Sequence, residues 1–178
     1  MHPLISDQAH RRLTTPRLVL DEIRDEDRDA LVDILKNDTV TEFYMVPPLA
    51  TREAEDKMFA ALRDLSRRND RYFFGVFLDG RLIGIFNDTE ITAEHVELGY
   101  ALHPAVHGKG YATEALGAMI GFLFSRGVPR VTAGAFEDNL ASLRVMEKCG
   151  MQPMEHTDTI EYRGREHLCL YRAIDRQS

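Results

Sequence analysis

From Arg17 to Ile23 the chain alternates as a strand does, with Leu18, Leu20 and Glu22 on one side and Val19, Asp21 and Ile23 on the other. The period then lengthens. Asp25 is placed to cap a helix reaching about Lys36, whose stripe is Ala30, Leu31, Ile34 and Leu35. Pro47 and Pro48 stiffen a loop over 43–49, and Thr51 starts a second helix carrying Ala54, Met58, Ala61, Leu62 and Leu65. Two apolar runs, 72–78 and 82–87, flank Asp79-Gly80, a strong hairpin signal. A strand over 95–103 ends at Pro104 and leads through a Gly-containing turn into a helix whose face is Ala112, Ala115, Leu116, Met119, Ile120 and Leu123. Gly127 stops that helix, and a strand over 130–136 follows. Asn139 opens a short helix ended by Gly150, and strands over 153–162 and 166–174 flank Arg163-Gly164.

The predicted order is β α α β β β α β α β β. Strand, Gly turn, helix and strand in the middle make a βαβ unit, so its two strands should run parallel. The rest fit hairpins. We expect an α/β fold: a mixed, mostly antiparallel sheet of about seven strands, with helices on both faces.

Composition narrows the picture. The 178 residues, 44% hydrophobic and 29% charged, fit one folded domain. Residues 1–14 read as a loose leader and 15–178 as the domain. The first residues lack the apolar core of a signal peptide, and no apolar stretch approaches the ~20 residues that span a bilayer. A cytoplasmic location and no membrane partner are therefore expected. The formal charge of −7 disfavours direct nucleic-acid binding, which needs a basic surface. Two cysteines, Cys149 and Cys169, make no disulfide scaffold, and the seven histidines show no ligand spacing, so no metal is expected.

The chemistry concentrates in Glu97 to Leu116, ELGYALHPAVHGKGYATEAL. Gly108 and Gly110 let the backbone approach a ligand closely, and the turn feeds a helix N-terminus with free N–H groups. That geometry suits a phosphate or diphosphate, although an ordinary strand-to-helix turn reads the same way. A P-loop needs GxxxxGK[ST], which is absent, and GKGYAT supplies only half of a dinucleotide fingerprint.

The helix NLASLRVMEKCGM, 139–151, adds a second motif. HGKGYA followed by N-x-x-S-x-x-V-x-E-K-x-G resembles the GNAT acetyltransferase superfamily. The opening TPRLVL and the closing IEYRGRE resemble its RimJ/RimL-like, ribosomal-protein N-acetyltransferase branch. The resemblance runs from about residue 14 to 174. It implies the GNAT acyl-CoA N-acyltransferase fold and direct transfer from acetyl-CoA to a primary amine in a ternary complex. The acceptor is a protein N-terminal α-amine or a small molecule such as a polyamine, an aminoglycoside or an amino-acid-like toxin. A non-catalytic acyl-CoA-binding module is the reading from another class. The chain is expected as a monomer or homodimer.

Carried onto this chain, the resemblance assigns the diphosphate to the amides of Gly108, Lys109, Gly110, Tyr111, Ala112 and Thr113, with His107 and Lys148 alongside. Ala101, Leu102 and His103 would meet the pantetheine arm, and the small Ala133, Gly134 and Ala135 would admit it. Glu97 is the candidate base for the amine proton, and the Ala101 N–H the oxyanion donor. Many relatives carry a tyrosine where Met146 stands, and Met146 donates no proton. Ser142, one turn earlier, is the candidate donor to the departing thiolate, with Asn139 nearby. Ser142 and Asn139 also fit helix capping, and Glu97 a solvated strand residue. Phe43, Tyr44, Met45 and the helix from Thr51 are expected to wall the acceptor side.

Overall fold

In the computed structural model, residues 12–177 are described, and they share one eight-stranded sheet. The strands are β1 (Leu13–Thr14), β2 (Leu18–Asp21), β3 (Phe74–Leu78), β4 (Arg81–Ile91), β5 (Val96–Leu102), β6 (Arg130–Phe136), β7 (Gln152–Tyr162) and β8 (Arg165–Asp175). Their order is β1-β2-β3-β4-β5-β6-β8-β7, antiparallel except for β5 and β6. The helices are α1 (Arg28–Lys36), α2 (Asp38–Thr41), α3 (Arg52–Ser66), α4 (Tyr111–Ser125) and α5 (Leu140–Lys148).

The apolar periodicity explains the layering. Leu116, Met119, Ile120 and Leu123 of α4 and Leu143 and Met146 of α5 share a core with Leu18, Leu20, Phe74, Phe86, Val96 and Leu98. Leu31, Ile34 and Leu35 of α1 and Phe59 of α3 pack on the other face with Phe77, Ile85 and Ala101. Successive strand residues point to opposite faces, so β5 feeds both cores: Val96, Leu98 and Leu102 the first, Ala101 the second.

Three expectations change. The eighth strand is Leu13–Thr14, paired Leu13↔Leu20 and Thr14↔Val19 inside the segment expected as leader; two residues are too few for alternation to register. The leader's residues 1–11 lie outside the described residues. The first helix begins with a 3-10 turn, Asp25–Asp27, in which Asp27 rather than Asp25 accepts the Arg24 N–H, at 2.8 Å; Asp25 instead meets Arg63 at 2.6 Å. The short helix α2 had no apolar period to announce it. Asn37 caps it, its Oδ1 accepting the Thr39 N–H at 3.1 Å.

One irregularity sits near the chemistry. Asp88 pairs with Leu98 but Glu90 with Glu97, leaving Thr89 as a bulge in β4.

Candidate active site

The parallel strands β5 and β6 are joined only at Val96↔Val131 and Glu97↔Thr132. Beyond Glu97 they part, and a cleft of about 300 Å³ opens there. The register fixes which main-chain groups face it. The His103 N–H donates to the Ile83 carbonyl at 2.8 Å, and the Asp88 N–H leaves β4 on its other side, to Tyr72, at 3.0 Å. With Ile85 opposite Ala101, antiparallel alternation commits Ala101 and His103 to β4 and turns Tyr100 and Leu102 toward the split. The expected roles of the Ala101 and His103 amides are therefore corrected: the groups facing the cleft belong to their neighbours. Sequence shows which side chains share a face, but not which edge of the strand a backbone group serves.

Past β5, a 3-10 turn (Pro104–Val106) leads to the glycine turn. Gly108 and Gly110 have φ of 74° and 81°, values disfavoured for residues with a Cβ. The first helical hydrogen bond of this segment runs from the Glu114 N–H to the Gly110 carbonyl at 3.0 Å. No amide from Gly108 to Thr113 has a partner among the described residues. Six consecutive free N–H groups at a helix N-terminus fit a diphosphate. His107 turns inward, its Nε2 donating to the Leu102 carbonyl at 2.8 Å. Lys109 reaches back to the Ala105 carbonyl at 3.2 Å and does not line the cleft, whereas Arg144 and Lys148 do.

A contact missed in the sequence braces this turn. Glu114 Oε1 accepts from Thr15 Oγ1 at 2.6 Å and from the Arg17 main-chain N–H at 2.9 Å. Arg17 Nε donates to Glu114 Oε2 at 2.6 Å and its Nη1 to the Lys109 carbonyl at 2.9 Å. The guanidinium lies over the Tyr111 ring, 4.5 Å from its centroid. Although burial pushes the Glu114 carboxyl up, the hydrogen bonds from Thr15 and Arg17 outweigh it and hold the group below the usual range.

Ser142 and Asn139 both line the cleft. Asn139 caps α5, its Oδ1 accepting the Ser142 N–H at 3.2 Å. The Ser142 hydroxyl is 2.8 Å from the Tyr100 hydroxyl, and Tyr100 stacks on Phe86 with centroids 4.9 Å apart. Burial pushes the Tyr100 phenol well above its usual range, so it keeps its proton. Strand alternation sets Tyr100 on one face with Val96, Leu98 and Leu102 and gives no sign of its polar tip. Met146 is fully buried in the core beside α4, which accounts for an apolar residue there.

Glu97 is half-buried on the sheet face opposite Tyr100 and does not line the cleft. The bulge residue Thr89 donates to Glu97 Oε1 at 2.7 Å. Along the same face, Tyr171 donates to Asp158 Oδ2 at 2.9 Å, and its ring would lie 2.7 Å from a Cβ at Gly134. Gly134 is thus kept small by Tyr171. Phe43 and Tyr44, expected on the acceptor side, line the cleft together with Thr39 and Val40 of α2. Met45 is 54% exposed and α3 packs into the core instead, so that part of the expected wall is corrected. Its place beside the cleft is taken by α2, which the β7–β8 turn holds: Tyr162 donates to the Thr41 carbonyl at 2.6 Å and Arg163 to Thr41 Oγ1 at 2.7 Å.

Cys149, partly buried, lies 3.4 Å from the Thr113 carbonyl, and burial pushes both cysteine thiols up. Among the described residues no cluster of His, Cys, Asp and Glu is placed to hold a metal, and no helix is long and apolar enough to cross a membrane.

A split between parallel strands, leading to a turn of free amides, has the form of a site for an extended ligand that carries a diphosphate. Residues 17–152 match the acetyltransferase (GNAT) domain. The uncharacterized N-acetyltransferase YoaA of Bacillus subtilis is 32% identical over 146 residues, 79% of this chain and 82% of YoaA. A GNAT-family acetyltransferase structure from Bacillus anthracis superposes with a TM-score of 0.79 at 23% identity, covering 93% of this chain and 98% of that one. RimL, a ribosomal L7/L12 alpha-N-protein acetyltransferase in complex with coenzyme A, superposes at 0.80 and 20% identity, over 92% and 96%. The chain belongs to the GNAT family and is an acetyl-CoA-dependent N-acetyltransferase.

Proposed function

We propose that this enzyme acetylates a protein N-terminal α-amine by direct attack in a ternary complex. The observation that carries the reading is the placement of Glu97 and Ser142 on opposite sheet faces, next to the point where β5 and β6 part. An acceptor amine approaching from the α1–α3 face meets Glu97, while Ser142 and Tyr100 lie on the α4–α5 face. The likeness to RimL, whose acceptor is an alpha-amine, favours this acceptor class.

Bound acetyl-CoA supplies an acetyl group activated as a thioester. The amides of Gly108 to Thr113 hold its diphosphate, with Arg144 and Lys148 beside them. The Tyr100 main-chain groups and the Leu102 N–H, directed at the split, hold the arm and the thioester carbonyl, the Leu102 carbonyl being engaged by His107. Glu97, fixed by Thr89, takes the amine proton directly or through one water. Ser142 gives its hydroxyl proton to the departing sulfur and regains one from solvent, and Asn139 sets the start of the helix that carries it.

Proton chemistry also suits an α-amine. With a pKa of about 7.7–8.0, roughly a tenth or more of it is neutral at pH 7, against well under ~1% of a lysine-like amine near 10.4. An acetyl-CoA assay run in parallel against peptides with free N-termini, polyamines and aminoglycosides tests the acceptor. The peptides should give the highest kcat/KM. Faster turnover of a polyamine or aminoglycoside would replace this reading with small-molecule acetylation, and tight acetyl-CoA binding without turnover of any amine would leave a binding module.

A further inference from the structure

We propose that Arg17 is a positioning residue for the diphosphate-binding turn, acting on the Lys109–Gly110 peptide and anchored by Glu114. A trans peptide is planar, so its carbonyl and its N–H point in opposite directions. Arg17 Nη1, from the β1–β2 connection, holds the Lys109 carbonyl at 2.9 Å. The Gly110 N–H is thereby directed away from Arg17, and it is one of the six amides without a protein partner. Rotation of this peptide would exchange a donor for an acceptor and set a carbonyl oxygen against an anion. Gly110 has no Cβ to resist that rotation, so the restraint must come from outside the turn.

The guanidinium suits the task because it forms two contacts in one plane. While Nη1 holds the carbonyl, Nε donates to Glu114 Oε2 at 2.6 Å and the flat face rests on Tyr111. Glu114 is itself fixed from the β1–β2 connection by Thr15 and by the Arg17 main-chain N–H. One carboxylate in the first turn of α4 therefore locks the guanidinium that locks the turn. This assigns work to the TPR segment, residues 15–17, which lies outside both motifs that carry the acetyl-CoA chemistry.

Calorimetry with coenzyme A tests this without knowing the acceptor. Dissociation constants are compared for the wild type, Arg17→Ala, Arg17→Lys, Glu114→Gln and the Arg17→Ala/Glu114→Gln pair, well below each melting temperature. Arg17→Ala and Arg17→Lys should both weaken binding on the order of tenfold, since a lysine offers a point charge without the planar fork whose separate nitrogens reach Glu114 and Lys109. Glu114→Gln should weaken it in the same direction, and the double variant should be no weaker than Arg17→Ala, because both act through one device. Unchanged affinity in folded Arg17→Ala would overturn the proposal. Full retention by Arg17→Lys would overturn it in favour of a direct charge on the ligand, and additive losses would remove Glu114 from the route. These outcomes are independent of the acceptor class. Steady-state kinetics gives a further reading: the KM for acetyl-CoA should rise in Arg17→Ala with kcat little changed.

Discussion

The Tyr100 hydroxyl lies 2.8 Å from Ser142 Oγ, joining the central strand of the cleft to the helix that closes it. Two arrangements satisfy this contact. Either Tyr100 donates to Ser142 and leaves the serine hydrogen facing the cleft, or Ser142 donates to Tyr100, which then donates to the Ser142 carbonyl at 3.3 Å. Burial keeps the phenol protonated in both, and only the first leaves the serine hydrogen free for the departing sulfur, as the proposed reaction requires. Ser142→Ala should then lower kcat by about 100-fold, within the range of general acid–base groups, with acetyl-CoA binding retained. Tyr100→Phe should lower kcat by about tenfold, the effect of one lost hydrogen bond. A wild-type or raised kcat in Tyr100→Phe would establish the second arrangement.

Glu97→Gln keeps the size of the side chain but removes its ability to take a proton. Activity should fall most at neutral pH and partly recover as pH rises and the acceptor deprotonates unaided. An acceptor with a pKa near 8 should lose less than one near 10. A pH–rate profile from about pH 6 to 10, measured with both kinds of amine, checks this. A parallel profile with unchanged kcat would leave Glu97 a binding residue.

Gly110→Asp puts a Cβ 3.4 Å from Arg17 Nη2 at a position with φ of 81°, so its carboxylate competes with Glu114 for the guanidinium and adds a negative charge beside the turn. A non-glycine residue in that left-handed conformation costs about 1–2 kcal/mol, which a domain of this size withstands. The variant should fold with a lower melting temperature and lose the thermal shift given by acetyl-CoA to the wild type. A full shift in the folded variant would remove the diphosphate from this turn.

Glu114 predicts an acid limb of stability. Its folded pKa lies below its unfolded value, so the unfolded state binds the proton more tightly. The stabilisation is present above the ordinary carboxylate range near 4.3 and is lost as pH falls through the lowered folded value. Glu114→Gln should show a lower melting temperature at pH 7 and a shallower decline between about pH 5 and 3. Parallel curves for variant and wild type would show that Arg17 and Thr15 contribute nothing through the carboxylate.

The periodicities made most of the architecture legible. Leu116, Met119, Ile120 and Leu123 announced α4, Asp79-Gly80 the hairpin, and the βαβ unit the parallel pair, all of which the structure contains. Leu13–Thr14 and α2 escaped because two and four residues complete no apolar period. The Gly turn and Ser142 were readable as local motifs. Arg17 was not, since its partners Lys109 and Glu114 stand 92 and 97 residues away. Nor was the choice of Tyr100 and Leu102 over Ala101, which depends on the register of β4 against β5.

With Glu97 as the proposed base, the extra residue in β4 separates catalytic tuning from folding. Deleting Thr89 would restore one-to-one pairing between Asp88↔Leu98 and Glu90↔Glu97, leaving the hydrophobic faces of both strands where they are. The carboxylate of Glu97 would lose the hydroxyl that aims it. A length change of one residue, invisible to any comparison of cores, would then act as a dial on proton removal. Among proteins of this architecture, the count of residues between the hairpin turn and the β4–β5 connection should therefore vary with reaction rate more than with stability.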